Sequence, residues 1–391
     1  MSESVIGRVP SGWALATLGD LCRSGGGEIQ TGPFGSQLHA SDYVVTGIPS
    51  VMPQNIGDNV IVEDRIARIS PEDAERLSRY LLRDGDIVYS RRGDVERRAL
   101  VSAAQDGWLC GTGCLRVRLG DSADPRYISY YLGHPKVRQW IVRHAVGATM
   151  PNLNTSILSD VPVVSPPRAI QEGIASTLGV LDDKIAVNKR IDVSVCELAE
   201  VEYARVVSMI GERATLGDLV DLKYGKSLPA GQRRSGDIPV YGSGGVGGWH
   251  DESLVAGPGI VVGRKGTVGA IHWEQGNFFP IDTTFFVQVR RPDVPLEFVF
   301  FAMKNLGLAS MNSDSAVPGL NRTNALAATV PLPPIEEVGR FARRVKELFE
   351  LRHSLLSQSQ RLADLRDALL PGLMSGAIQA RDAEKAVEDA T

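Results

Sequence analysis

With 391 residues, 43% of them hydrophobic, the chain can bury the cores of two to three ordinary globular domains, and no run approaches the roughly 18 apolar residues of a membrane-spanning helix. Its formal net charge of −4 argues against nonspecific coating of nucleic acid, and the start MSESVIGRVPSGW lacks the apolar core of a secretory signal peptide. Cys22, Cys110, Cys114 and Cys196 form neither a secreted disulfide framework nor a zinc-site pattern, so they read as structural thiols of a cytoplasmic protein.

Residues 1–165 read as a module of short strands and turns, with β-like runs at 86–89, 99–103 and 115–119 and a helix over 127–144. Residues 211–332 repeat that order, with runs at 259–262, 269–273 and 283–289 and a helix over 296–305. Single motifs recur too. TLGDL at 17–21 returns at 215–219, an offset of 198, and Ile48-Pro49 returns as Ile238-Pro239, an offset of 190. Ile87-Val88 with Arg91-Arg92-Gly93 returns as Ile260-Val261 with Arg264-Lys265-Gly266, at 173, and Pro151, Leu153 and Asn154 return as Pro318, Leu320 and Asn321, at 167. Two copies of one mixed α/β module thus differ in size where they are loop-rich and match where they are helical. Residues 1–150 hold 17 Lys/Arg against 17 Asp/Glu, and residues 211–334 hold 11 against 11, so each module is neutral overall and can still carry a basic face.

Pro166-Pro167 and Pro333-Pro334 each precede a long helix, since proline is tolerated in the first turn where its missing N–H costs nothing. Over 166–210 the apolar positions Ile174, Leu178, Leu181 and Ile185 step by four and three, resuming at Ile191, Val195 and Leu198. Over 333–376 Phe341, Leu348, Leu355, Leu362 and Leu369 fall every seventh residue, with Val345, Leu351 and Leu365 widening the stripe, which is a coiled-coil period. Ile174/Phe341, Leu178/Val345, Leu181/Leu348, Val195/Leu362 and Leu198/Leu365 match at offset 167, so the helices are expected to pack on each other as an antiparallel, pseudo-twofold pair. About 40 residues at ~1.5 Å each make a rod of roughly 60 Å. Asn188 falls on the seam of the first helix and reads as an exposed asparagine, with register fixing as the alternative. Residues 377–391 read as a polar tail without order.

Enzymatic motifs lack their context. Gly242-Ser-Gly244-Gly245-Val-Gly247 satisfies G-x-G-x-x-G, but no helix begins at 248–251 to meet a pyrophosphate, so the stretch reads as a glycine-rich loop. Ser165-Pro166-Pro167-Arg168 lacks the aromatic that an amino-methyltransferase tetrapeptide stacks on its flipped base. With no nucleophile, acid–base pair or metal cluster above chance, the chain reads as a binder and not an enzyme. Candidate nucleic-acid contacts are polar and basic side chains that can leave a sheet at its turns and reach a groove or phosphates. They are Ser36, Gln37, Asn55, Arg91, Arg92, Arg97, Asn152 and Asn154 in the first module, and Lys226, Arg233, Arg234, Arg264, Lys265, Thr267, Asn321 and Arg322 in the second. Arg91/Arg264 and Arg92/Lys265 stand out because both copies keep them.

Taken in order, the motifs resemble a known family over nearly the whole chain: the specificity subunits of type I restriction-modification systems. Trp13 with Leu18-Gly19-Asp20, repeated as Leu216-Gly217-Asp218, looks like the family's opening; Gly32-Pro33-Phe34-Gly35-Ser36 looks like its GPFGS; Gly85-Asp86-Ile87 to Gly93 looks like its GDI…R.G segment. The paired prolines match those before its two helices, and residues 365–376 resemble its closing helix. The resemblance implies an α+β fold with two pseudo-twofold-related mixed α/β target recognition domains, separated by two long antiparallel coiled-coil helices. It implies that each domain reads one half of a split double-stranded DNA target, and that the helices act as spacer and as docking site for two methyltransferase subunits. No cofactor is implied on this chain; AdoMet would belong to the methyltransferase, and ATP and Mg to any restriction or translocase subunit. Two departures stand against the pattern: Gly225-Lys226-Ser227-Leu228 replaces the second GPFGS, and Glu336-Glu337 replaces the common Glu-Gln. The alternative reading of the residues is a noncatalytic coiled-coil scaffold for protein interaction.

Overall fold

A computed structural model of the chain describes residues 3–147, 151–311, 319–388 and 390–391. The chain divides into two compact units, residues 1–185 with 360–391 and residues 186–359. Each unit holds one mixed α/β module and part of both long helices.

In the first unit the strand Ile87–Ser90 pairs antiparallel with both Cys114–Val117 and Arg98–Leu100 inside a five-stranded sheet. Successive side chains of a strand point to opposite faces. Accordingly Ile87 and Tyr89 enter the main core with the helix Pro125–Gly133, while Val88 enters a smaller core with Val51, Ile56, Cys110 and Cys114. Burial pushes the Cys110 thiol up to about 12, which leaves it a packing group. The second unit repeats the plan. Gly259–Gly263 pairs with Thr284–Val289 and Ile271–Glu274; Ile260 and Val262 face a core with the helix Leu296–Lys304, and Val261 faces Tyr241 and Phe278.

The repeated TLGDL is a helix start. Thr17 Oγ1 accepts from Asp20 N at 3.1 Å and Asp20 accepts from Thr17 N at 3.2 Å; Thr215 and Asp218 do the same at 3.2 and 2.8 Å. The Thr17 and Thr215 hydroxyls, donating to these carboxylates at 2.7 and 2.6 Å, and then the threonine backbone N–H groups hold both carboxyls below the usual carboxylate range. The helix expected over 127–144 is instead two, Pro125–Gly133 and Pro135–His144, because Pro135 offers no N–H and pushes His134 out of helical backbone.

His134 caps the second of these, its Nδ1 accepting from Lys136 N at 3.1 Å. Burial, and then the Lys136 charge, lower its pKa from 6.5 to about 4. Between those values the unfolded chain binds the extra proton, so this stability is present above pH 6.5 and is lost as pH falls toward 4. The denaturation midpoint of the first unit should fall across that window, and His134→Asn, which can still cap, should flatten the dependence.

The long helices are Arg168–Val207 and Ile335–Ser375. Within the first unit Ile174, Ala175 and Leu178 share the module core with Leu370, Leu373 and Met374, Leu181 clusters with Leu362, and Arg366 binds Asp182 at 2.7 Å. Within the second, Asn188 Nδ2 donates to Gln358 Oε1 at 2.9 Å, Arg352 binds Asp192 at 2.7 Å, and Arg344 binds Glu202 at 3.2 Å. Partner numbers rise on one helix as they fall on the other, so the pair is antiparallel in both units. Val195, Phe341, Val345, Leu355 and Leu362 are buried as the heptads require, and Ile185, Leu348, Leu365 and Leu369 are half-buried.

Three expectations on these helices are corrected. Leu198 is 48% exposed and Leu351 44%, so neither lies in the seam. Asn188 is 2% exposed with its amide spent across the pair, which makes it a register-fixing residue and not a surface one. The tail is ordered: Ala380–Glu388 is a helix that buries Ala383 and Val387, the latter against Leu181 and Leu362. Among the described residues no helix is long and apolar enough to cross a membrane.

Candidate nucleic-acid interface

Both central strands run out into the same kind of turn. In the first unit Ile87–Ser90 ends at Arg91, whose N–H donates to Gly113 O at 2.9 Å and whose carbonyl accepts from Leu153 N at 2.8 Å. Arg92 bridges Asn152, and Val95 N closes the turn on Gly93 O at 3.0 Å. In the second unit Gly259–Gly263 ends at Arg264, whose N–H donates to Thr283 O at 2.9 Å and whose carbonyl accepts from Leu320 N at 2.9 Å. Lys265 bridges Gly319, and Val268 N closes on Gly266 O at 2.9 Å. Gly93 and Gly266 sit at φ 76° and 81°, a conformation that disfavours any side chain. Pro318, the counterpart of Pro151, lies outside the described residues.

The glycine loops beside these turns are equivalent as well, despite the lost second GPFGS. Gly32 N donates to Cys114 O at 2.9 Å and Gly225 N to Thr284 O at 3.1 Å. A Cβ would meet Gly111 O at 2.1 Å in the first case and Ile281 O at 2.2 Å in the second, so each position needs glycine for the same close backbone approach. The stretch 242–247 is a hairpin and not a nucleotide loop: Ile238–Gly242 turns back as Gly245–His250, and no helix follows. Gly244 lies beside Thr267, which brings that hairpin's turn to the Arg264 turn.

Arg92, Lys226, Lys265, Thr267 and Ser36 are exposed at these turns and loops, and no ion pair among the described residues engages the three cations. Arg91 and Arg264 are half-buried, and the Nε of each is buried with no hydrogen-bond partner among the described residues. Asn152 Oδ1 shares that state. Free cations on a rigid backbone can take anionic acceptors.

Other candidates have partners within the protein. Asn55 is corrected outright: it is 1% exposed, donates to Val62 O at 3.0 Å and accepts from Met52 N at 3.2 Å, so it cannot meet a ligand. Asn154 and Asn321 are equivalent helix N-caps, accepting from Ile157 N at 2.8 Å and Asn324 N at 3.1 Å. Gln37 Oε1 takes Tyr80 OH at 3.0 Å. Arg97 pairs with Asp94 at 2.6 Å, and Arg234 with Asp251 and Glu252 at 2.7 Å each. Arg233 donates to Gly247 O at 2.7 Å. Arg322 donates to Leu222 O at 2.8 Å and pairs with Asp221, whose carboxyl Lys223 and Arg322 hold far below the usual range. Two exposed aromatics beside the turns, Phe34 and Tyr224, were not among the candidate contacts. Their signal was position: Tyr224 immediately precedes the loop glycine.

Each unit thus carries a two-faced sheet whose central strand ends in an arginine turn and whose core includes its part of the antiparallel helix pair. Residues 10–195 match the type I restriction modification DNA specificity domain. A specificity subunit assigned to the type I restriction enzyme MjaX of Methanocaldococcus jannaschii is 21% identical over 97% of this chain and 96% of its own length. The type I restriction enzyme EcoprrI specificity subunit of Escherichia coli is 24% identical over 38% of this chain and 39% of its own. The fold is that of the type I restriction-modification S subunit from M. genitalium, with a TM-score of 0.61 at 19% identity, covering 95% of this chain and 98% of that one. These likenesses place residues 10–195 in the type I restriction modification DNA specificity domain family and make the chain as a whole similar to type I restriction-modification specificity subunits.

Proposed function

We propose that this chain is a noncatalytic reader of double-stranded DNA, in which each module recognises one half of a bipartite target. The observation that carries this is the arginine turn, sewn by equivalent backbone hydrogen bonds to the segment just before the short helix that Asn154 or Asn321 caps, at the end of the central strand of both units. A fixed turn offers cations to phosphates or base edges without ordering its backbone on binding. The long helices set the spacing between half-sites and dock two methyltransferase subunits, with restriction or translocase subunits joining where the system has them. AdoMet is then held by the methyltransferase, and ATP and Mg by the restriction partner.

The test is the methylome of a host expressing the chain with an adenine methyltransferase partner. Exchanging residues 1–150 for those of a relative is expected to change one half of a gapped methylated motif and leave the other intact. A continuous motif, or a change in both halves, would overturn the proposal.

A further inference from the structure

The two arginine turns differ in what lies under the guanidinium. In the second unit Arg264 Cζ stands 5.2 Å from the centroid of the Tyr224 ring and 5.9 Å from that of Phe285, while Arg264 Nη2 donates to Asp282 O at 3.0 Å. Tyr224 and Phe285 face each other across paired strands with ring centroids 4.9 Å apart at 60°. Tyr224 is 58% exposed, so its ring lies at the surface with the guanidinium over it. In the first unit the pairing places Thr31 opposite Leu115 at the same register, so those positions supply no ring beneath Arg91.

An arginine on a sheet edge is a many-rotamer side chain that must be ordered when it binds. A ring beneath the guanidinium face and a carbonyl on Nη2 remove much of that freedom beforehand, and with Nε buried the hydrogens left for a ligand are those of Nη1 and the second of Nη2. We propose that Tyr224 is a positioning residue that presents the Arg264 guanidinium as a preformed fork to two coplanar acceptors on the DNA of the second half-site. Those acceptors are either a phosphate's oxygens or the O6 and N7 of a guanine, which share this planar double-acceptor geometry. The inference rests on the DNA-reading function proposed above and goes beyond it by assigning unequal stiffness to the two modules.

The experiment titrates the full-length chain, as wild type, Tyr224→Phe and Tyr224→Leu, against the duplex carrying its methylated motif, against single-base variants of the second half-site and against a scrambled duplex. Tyr224→Phe keeps the ring and should bind within about twofold of wild type; Tyr224→Leu keeps apolar packing on Phe285 but not the stack, and should bind about three- to fivefold more weakly. An equal loss on motif and scrambled duplexes assigns a phosphate, whereas a loss on the motif with relaxed discrimination at one guanine assigns the base. Wild-type affinity in Tyr224→Leu, or an equal loss in Tyr224→Phe, would overturn the positioning role and leave the DNA-reading function standing. No binding by the wild type to any duplex would overturn both.

Discussion

Phe341→Ala should destabilise the second unit by about 3–5 kcal/mol, the range for removing a fully buried phenylalanine. Phe341 is 1% exposed and its ring centroid lies 5.7 Å from that of Phe301, 5.9 Å from Tyr203 and 6.2 Å from Phe298. Those neighbours come from both the first long helix and the helix Leu296–Lys304. One truncation therefore opens a cavity where the helix pair meets the module core. Denaturant titration followed by hydrogen exchange should show accelerated exchange over residues 199–206 and 335–349. Leu198→Ala, at a position whose heptad pattern looks as good, should cost under about 1 kcal/mol because about half of that side chain already meets solvent. If both variants lost equal stability, the seam would be misassigned.

That contrast marks what periodicity can and cannot decide. Leu198 and Leu365 match at offset 167, yet Leu365 is half-buried beside the cluster that Val387 of the tail helix completes, and the first copy, whose helix carries Leu198, is followed by no such tail. The tail itself carries few apolar residues, of which Ala383 and Val387 are buried on one face, and an isolated helix that short is marginal in water. Its order comes from the surface it lands on, which no local pattern contains. Asn188 went astray for the opposite reason: a polar residue on a seam reads as exposed until Gln358 and Ser359 are placed across from it. The duplicated motifs survived translation into structure because their causes are local, such as the capping boxes at Thr17 and Thr215 and the close approaches at Gly32 and Gly225. Among the candidate readers, amides were the least legible. Asn55, Asn154 and Asn321 are as well suited to satisfying backbone as to meeting DNA, and the backbone claimed them.

Cations are claimed less easily, because burying one demands a carboxylate, and this sets the expected result for Arg91→Ala combined with Arg264→Ala. Two charge-assisted contacts of about 1.5 kcal/mol each should together be worth roughly a hundredfold in affinity for duplex DNA. If both contacts go to phosphates, the slope of log K against log salt should become shallower by about two, since each lost contact leaves about one counterion unreleased. The single variants should each account for about half of the free-energy loss, because the residues lie in different units and share no hydrogen-bonding partner. Arg97→Ala supplies the control: its guanidinium is already bound to Asp94 at 2.6 Å, so affinity should stay within about twofold. Arg322→Ala should behave differently again, lowering the stability of the second unit by stripping a cation from the buried Asp221 while leaving the salt slope unchanged. Full retention of affinity in the double variant would remove both turns from the DNA interface, since the paired backbone holds each turn's shape whether or not its arginine is present.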